Sequence, residues 1–437
     1  MLRRLIGEKF FKDSFVYIVG TLVAGFLGYM FQFVVSRKLS VGDYGELQSI
    51  ISVFSIMAVF MSAASYFAVK YSSVFAKEND HLGARDFGAW MMAKINKPSF
   101  ILFVLFMAAS PLIYKYLHLS QFYGLIIIGL AVLCALFSSV YSGFLSGWQK
   151  FVSVNIVSSG GAFFKLVSGY LIVLFYPTAS SVTLAFLVGS AGSWLLGSFL
   201  VKKKIYSGKE DVALSQKSDW QGKYFKEINI KKTVMPTIIF SLMIVLISNI
   251  DILLLKNLTT AEITGYYGAL KILGSIIIAI NTSIVSVVLP RACADGGVNK
   301  KILLGAYGAI VAISAASTAL YFLFPSLIIE MLFGSKYVLF SSDLWLFGII
   351  ALAISLLTLE SNLAYARYDF HISYILGATA TLMVSGLYLF HSSIREAALA
   401  AIVSFTIGYF GAIVLNLIHR KRNLAKKEPI TLPARPL

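Results

Sequence analysis

Apolar runs of about twenty residues recur along the chain with short polar segments between them. In helical form, about twenty apolar residues cover the roughly 30 Å of bilayer hydrocarbon, so each run predicts a membrane-crossing helix. Twelve are found, at 14–36, 47–71, 98–117, 121–146, 152–176, 180–201, 234–256, 265–290, 302–326, 344–366, 371–390 and 396–418. The first follows Arg3, Arg4, Lys9 and Lys12, which imitates a secretory signal. It runs from Ser14 to Val35 without a small-residue cleavage site, too long for a signal core, and is expected to stay as the first span.

Composition strengthens this reading. The 437 residues are 58% hydrophobic and only 13% charged, against about 25% charged in a soluble domain, so a water-soluble fold is excluded. If the N-terminus is cytoplasmic, 29 of the 37 lysines and arginines fall on cytoplasmic segments and 6 on external ones. The other two, Lys165 and Lys271, lie inside spans. That asymmetry predicts a multi-pass protein of the cytoplasmic membrane with both termini inside. The net charge of +17 then serves topology and anionic headgroups, and calls for no nucleic acid.

The longest basic segment divides the spans into two sets of six. The expected organisation is an all-α integral membrane protein of two six-helix lobes around a central cavity. Residues 1–201 form an N-terminal lobe, 202–232 a basic cytoplasmic linker, 233–418 a C-terminal lobe and 419–437 a disordered basic tail. Lys202, Lys203 and Lys204 read as a stop-transfer anchor. Cys134 and Cys293 make no disulfide framework and read as packing residues, and the five histidines show no metal-ligand spacing. No cofactor or metal is expected.

Behind the first span the chain reads Lys38-Leu39-Ser40-Val41-Gly42-Asp43-Tyr44-Gly45, and behind the seventh Asn257-Leu258-Thr259-Thr260-Ala261-Glu262-Ile263-Thr264-Gly265. Ser40 with Asp43 and Thr259 with Glu262 have capping-box spacing, which starts a helix. The shared device suggests duplication of a six-helix unit, the halves related by an axis along the membrane normal. The stretch from Arg37 to Gly45, the segment Asn249 to Leu255 followed by Gly265-Tyr266-Tyr267, and Leu332-Phe333-Gly334-Ser335-Lys336-Tyr337 resemble the polysaccharide-biosynthesis branch of the multidrug/oligosaccharidyl-lipid/polysaccharide flippase superfamily. The resemblance covers essentially the whole chain. It implies a central cavity, lined largely by spans one, two, seven and eight, that opens alternately to either side.

Polar and small residues at helical spacing must face protein or water rather than lipid. Such stripes occur in span one (Thr21, Gly25, Gly28, Gln32, Ser36), span two (Gln48, Ser52, Ser55, Ser62, Ser65), span seven (Thr237, Ser241, Ser248, Asp251) and span eight (Lys271, Ser275, Asn281 or Thr282, Ser286). They mark either helix packing or a cavity wall. Four charges lie inside spans, each costing about 2.5–3.5 kcal/mol near a helix centre. Asp251 and Lys271 lie at matched depth and are expected to pair. Lys165 shares a face with Asn155, Ser158, Ala162 and Ser168, and no acid occurs between Asp86 and Glu210. It is either a phosphate contact or a neutral packed lysine. Glu360 shares a face with Arg367 and is either a structural or gating partner or an ion-linked site.

The candidate cavity residues are therefore Lys165, Lys271, Asp251, Gln32, Gln48, Asn281, Glu360 and Arg367. With the resemblance, they imply a transporter that flips undecaprenyl-pyrophosphate-linked oligosaccharide units for surface polysaccharide (O-antigen or exopolysaccharide). Its expected partners are that substrate, membrane lipids, and polymerase and chain-length machinery. A wet cationic cavity would carry the diphosphate while the lipid tail stays in the bilayer. The alternatives are a cation-coupled multidrug exporter of the same superfamily, which would want carboxylates in the N-lobe, and a membrane polysaccharide polymerase or ligase. The latter would need a substantial external loop; the segment from Leu327 to Asp343 is short and lacks His or paired carboxylates. With no nucleophile–base set, phosphate loop or metal cluster in the sequence, a non-enzyme is expected.

Overall fold

The computed structural model describes the backbone of residues 2–206, 230–292, 300–366 and 369–426, with side chains there except at 2–15, 230–234, 237, 287–292, 300, 366 and 419–426. Cys293, Arg367, and most of the predicted linker and tail lie outside the described residues. The chain folds as α1 (Leu2–Lys38), α2 (Val41–Glu78), α3 (His81–Tyr116), α4 (Tyr123–Gly147), α5 (Phe151–Phe175) and α6 (Ala179–Val201), which runs on into one π-helical turn, Lys202–Tyr206. Then come α7 (Ile230–Leu258), α8 (Ala261–Ala292), α9 (Lys300–Leu323), α10 (Pro325–Phe333), a 3-10 stretch (Ser335–Asp343), α11 (Leu344–Ala366), α12 (Ile372–Leu389) and α13 (Ile394–Lys426). No strand occurs among the described residues. Twelve helical segments are long and apolar enough to cross a membrane. Side chains such as Phe26, Leu105, Leu112 and Leu195 are more than half exposed, in numbers that only lipid would cover.

Helix extends beyond the predicted spans in two places. The polar segment from Lys70 to Lys97 is helix on both sides of a break at Asn79 and Asp80. Asn79 adopts φ 53°, and the Asp80 carboxylate caps α3 by accepting from the Gly83 amide at 2.7 Å. The tail, expected to be disordered from His419, continues α13 as far as Lys426. In both places hydropathy marks only the lipid-embedded part of a helix. Polar helical residues carry the same backbone bonds onward into water.

Contacts divide the chain into two compact units: Met1–Leu39 with Val53–Ile238, and Ser40–Ser52 with Ile239–Leu437. The first three turns of α2 thus belong to unit 2, although the sequence boundary puts them in the N-terminal lobe. Unit 1 is centred on an aromatic cluster of Tyr71, Phe75, Phe87, Phe144 and Trp148, into which Ile205 packs. His81 packs at a tilt against Trp148 and its Nδ1 donates to the Ile205 carbonyl at 2.6 Å.

The duplicated motif starts both α2 and α8, with one correction. Ser40 caps α2, its hydroxyl oxygen accepting from the Asp43 amide at 3.0 Å and donating to the Asp43 carboxylate at 2.5 Å. The cap of α8 is Thr260 rather than Thr259: Thr260 Oγ1 accepts from the Ile263 amide at 3.3 Å, while the Thr259 hydroxyl turns back to the Leu255 carbonyl at 2.6 Å. Glu262 is therefore one position short of the capping-box place. In this register Gly45 and Gly265 are equivalent, and they meet reciprocally. A Cβ on Gly45 would lie 2.1 Å from the Ala261 carbonyl oxygen, and one on Gly265 would lie 2.0 Å from that of Val41. Only glycine permits that backbone approach.

Candidate functional site

Lys165 projects from the middle of α5 into a cavity of about 530 Å³ within unit 1. Glycines make room for it. Gly161 and Gly189 let α5 and α6 lie backbone to backbone, since a Cβ on Gly189 would come 2.9 Å from both the Gly161 carbonyl oxygen and Lys165 Cβ. Gly169, one turn beyond the lysine, leaves space for the Phe31 ring from α1, which an added Cβ would strike at 2.5 Å. The ammonium consequently sits 5.0 Å from the ring centroids of both Phe31 and Phe186. The two rings meet edge to face at 5.5 Å, and Phe54 of α2 packs likewise on Phe186. Cation–π attraction is worth about 2 kcal/mol when desolvated, a substantial part of the cost of placing the charge there.

Serines line much of the remaining wall: Ser62 and Ser65 of α2, Ser138, Ser139 and Ser142 of α4, Ser158 of α5, and Ser190 and Ser193 of α6. Ser62, Ser139, Ser158 and Ser193 donate to backbone carbonyls at 2.7–3.2 Å. Ser65, Ser138, Ser142 and Ser190 remain open to ligand or water. Lys165 is the one charged residue of the lining, and among the described residues it forms no salt bridge. The arrangement offers a cation and hydroxyls, donors that suit phosphate or sugar oxygens.

The other predicted residues are not gathered there. Asp251 of α7 and Lys271 of α8 do pair, at 2.5 Å. The carboxylate also accepts from Tyr267 Oη and the Ile252 amide, both at 2.9 Å, and the ammonium donates to the Ser248 carbonyl at 2.7 Å. Asn281 is buried in the interior of unit 2, donating to Ser314 and Ser355 at 3.0 Å each. Glu360 is buried and accepts from Tyr307 Oη and Asn416 Nδ2. Gln48, beside Gly268, hydrogen-bonds Tyr44. Gln32 is half-buried on α1. Among the described residues no cluster of His, Cys, Asp or Glu has the makings of a metal site.

Sequence reasoning missed two features. Of the serine wall it singled out only Ser62, Ser65 and Ser158. The spacing of Ser138, Ser139 and Ser142, and of Ser190 and Ser193, already placed each group on one helix face. It also left Glu46 and Lys256 out of the candidate residues; both are buried in unit 2 and interact electrostatically.

No family model matches the chain, and no curated protein matches it in sequence. Solved structures do match in fold. The inward closed conformation of the lipid II flippase MurJ superposes with TM-score 0.72 at 15% identity, covering 92% of this chain and 87% of that one. An inward-facing multidrug resistance MATE family transporter of the MOP superfamily gives 0.71 at 15%, covering 94% and 99%. A MOP superfamily transporter from Pyrococcus furiosus, whose binding pocket is described as reversed in polarity, gives 0.60 at 16%, covering 95% of each. At these identities the likeness is one of fold, and the chain has the two-lobed, all-helical architecture of those membrane proteins.

Proposed function

We propose that the protein is a transporter that flips an undecaprenyl-diphosphate-linked oligosaccharide across the bacterial cytoplasmic membrane by alternating access, for surface polysaccharide synthesis. The observation that carries this reading is the cavity around Lys165, a cation without a carboxylate partner among the described residues, facing hydroxyls. A diphosphate and sugars cannot cross hydrocarbon unaided, and lysine supplies a compact charge for phosphate. The lipid II flippase among the structural neighbours is a precedent for a flippase on this fold. The charge asymmetry supports cytoplasmic termini: reporter fusions at Ser207 and at the C-terminus should read cytoplasmic and one at Ser335 external.

The direct test is complementation of a flippase-deficient strain. Lys165→Ala should accumulate in the membrane yet fail to restore surface polysaccharide, and Lys165→Arg should be intermediate. Full rescue by Lys165→Ala at low expression would remove the phosphate contact from the reading.

A second reading, cation-coupled drug export, is favoured by Glu360, a buried carboxylate in unit 2 met by a phenol and an amide. It predicts that expression lowers drug sensitivity and that Glu360→Gln abolishes this protection, with Lys165→Ala leaving it intact.

A further inference from the structure

A charged lysine inside a membrane protein needs compensation. A carboxylate would supply it and would also cancel the charge that an anionic ligand needs. Aromatic faces act differently: their quadrupole attracts the ammonium, but they carry no net charge. Around Lys165 the compensation is of this second kind, with Phe31 and Phe186 each at 5.0 Å, inside the roughly 6 Å reach of that attraction. None of the other residues that α1, α2, α4, α5 and α6 present to the cavity is acidic or basic. The rings are themselves held in place, Phe31 fully buried against Gly169, and Phe186 wedged between Phe31 and Phe54.

We propose that Phe31 and Phe186 are positioning residues that keep the Lys165 ammonium charged and placed at the serine-lined cavity, so that this cavity is an anion site for the diphosphate of a lipid-linked ligand. The proposal rests on reading the cavity as the substrate site. Binding is then an exchange, in which phosphate oxygens and free serine hydroxyls take over the ammonium from the two rings. The site can fill and empty because no fixed counter-ion competes for the lysine.

The test titrates the purified full-length protein in detergent with farnesyl diphosphate, using farnesol as the uncharged control. Wild type should bind the diphosphate more tightly than the alcohol, and Lys165→Met should remove that preference. Phe186→Leu should bind the diphosphate about tenfold more weakly with farnesol binding unchanged. Phe186→Tyr, which keeps the ring face, should stay within about threefold of wild type. Phe31→Leu should shift binding in the same direction as Phe186→Leu, which keeps the proposal open to test if Phe186→Leu does not accumulate. Leucine variants that bind like wild type while Lys165→Met does not would overturn the positioning role and leave the cavity reading standing. No preference for diphosphate in wild type, or the same preference in Lys165→Met, would overturn both.

Discussion

Lys271 in unit 2 lies 2.5 Å from Asp251, whose second oxygen is held by Tyr267, whereas Lys165 in unit 1 lies beside two phenyl rings and faces hydroxyls. Both are lysines inside membrane-spanning helices, and composition does not distinguish them. Their neighbours do. The first is an ion pair, neutral as a whole, in which each member satisfies the other and joins α7 to α8. The second is a charge stabilised without being neutralised. A neutral pair suits structure; a cation without a counter-ion beside open hydroxyls suits an anionic ligand. A buried charge is therefore informative about function only together with what answers it.

The largest expected effect that would break this comparison is on stability. Asp251→Ala leaves Lys271 with the Ser248 carbonyl, and removing one member of a buried pair costs about 3–5 kcal/mol. Because the Lys271 side chain keeps 24% exposure, the lower end of that range is expected, seen as lost folded protein when detergent-solubilised samples are heated. The exchanged pair, Asp251→Lys with Lys271→Asp, should recover part of the loss. If it remains as unstable as the single variant, matched depth alone does not make the pair.

A smaller effect is expected from Lys165→Met, whose stability should change by less than about 1 kcal/mol, since an apolar chain of similar length replaces a desolvated ion. A drop as large as that of Asp251→Ala would mean that Lys165 is structural after all. Smallest is the contribution of the wall: Ser138→Ala and Ser190→Ala should each weaken binding of a diphosphate ligand several-fold, in line with the roughly 0.5–1.5 kcal/mol of one hydrogen bond, with thermal stability unchanged.

Much of the fold could be read from the chain alone, because the membrane imposes one rule throughout: backbone polar groups must be satisfied within the segment, so a long apolar run is a helix. The same rule says nothing about helix beyond the lipid, which is why hydropathy alone shows only part of α2, α3 and α13. Capping chemistry was legible as a device but not to the residue. With two threonines side by side, only the path of the chain decides that Thr260 accepts from the next turn while Thr259 bonds to the previous one. The pairing of Asp251 with Lys271 was legible because twenty residues and one reversal bring them to the same depth. The aromatic partners of Lys165 were not, since Phe31 and Phe186 lie 134 and 21 positions away and look like any other lipid-facing phenylalanine.

The sequence by itself determined the number and approximate extent of the spans, the asymmetric placement of basic residues, the duplicated start of α2 and α8, and the presence of four costly charges. These follow from hydropathy and charge counted locally, against a solvent that is the same for every helix. Only the tertiary structure decided which charges cancel and which do not, that Gly45 and Gly265 close on each other's helix, and that the cavity holding Lys165 is walled by α4 and α6 as much as by α1 and α2. Those outcomes depend on which faces of distant helices meet. That is set by the fit of small residues against large ones over several helices at once, and no single stretch of sequence contains it.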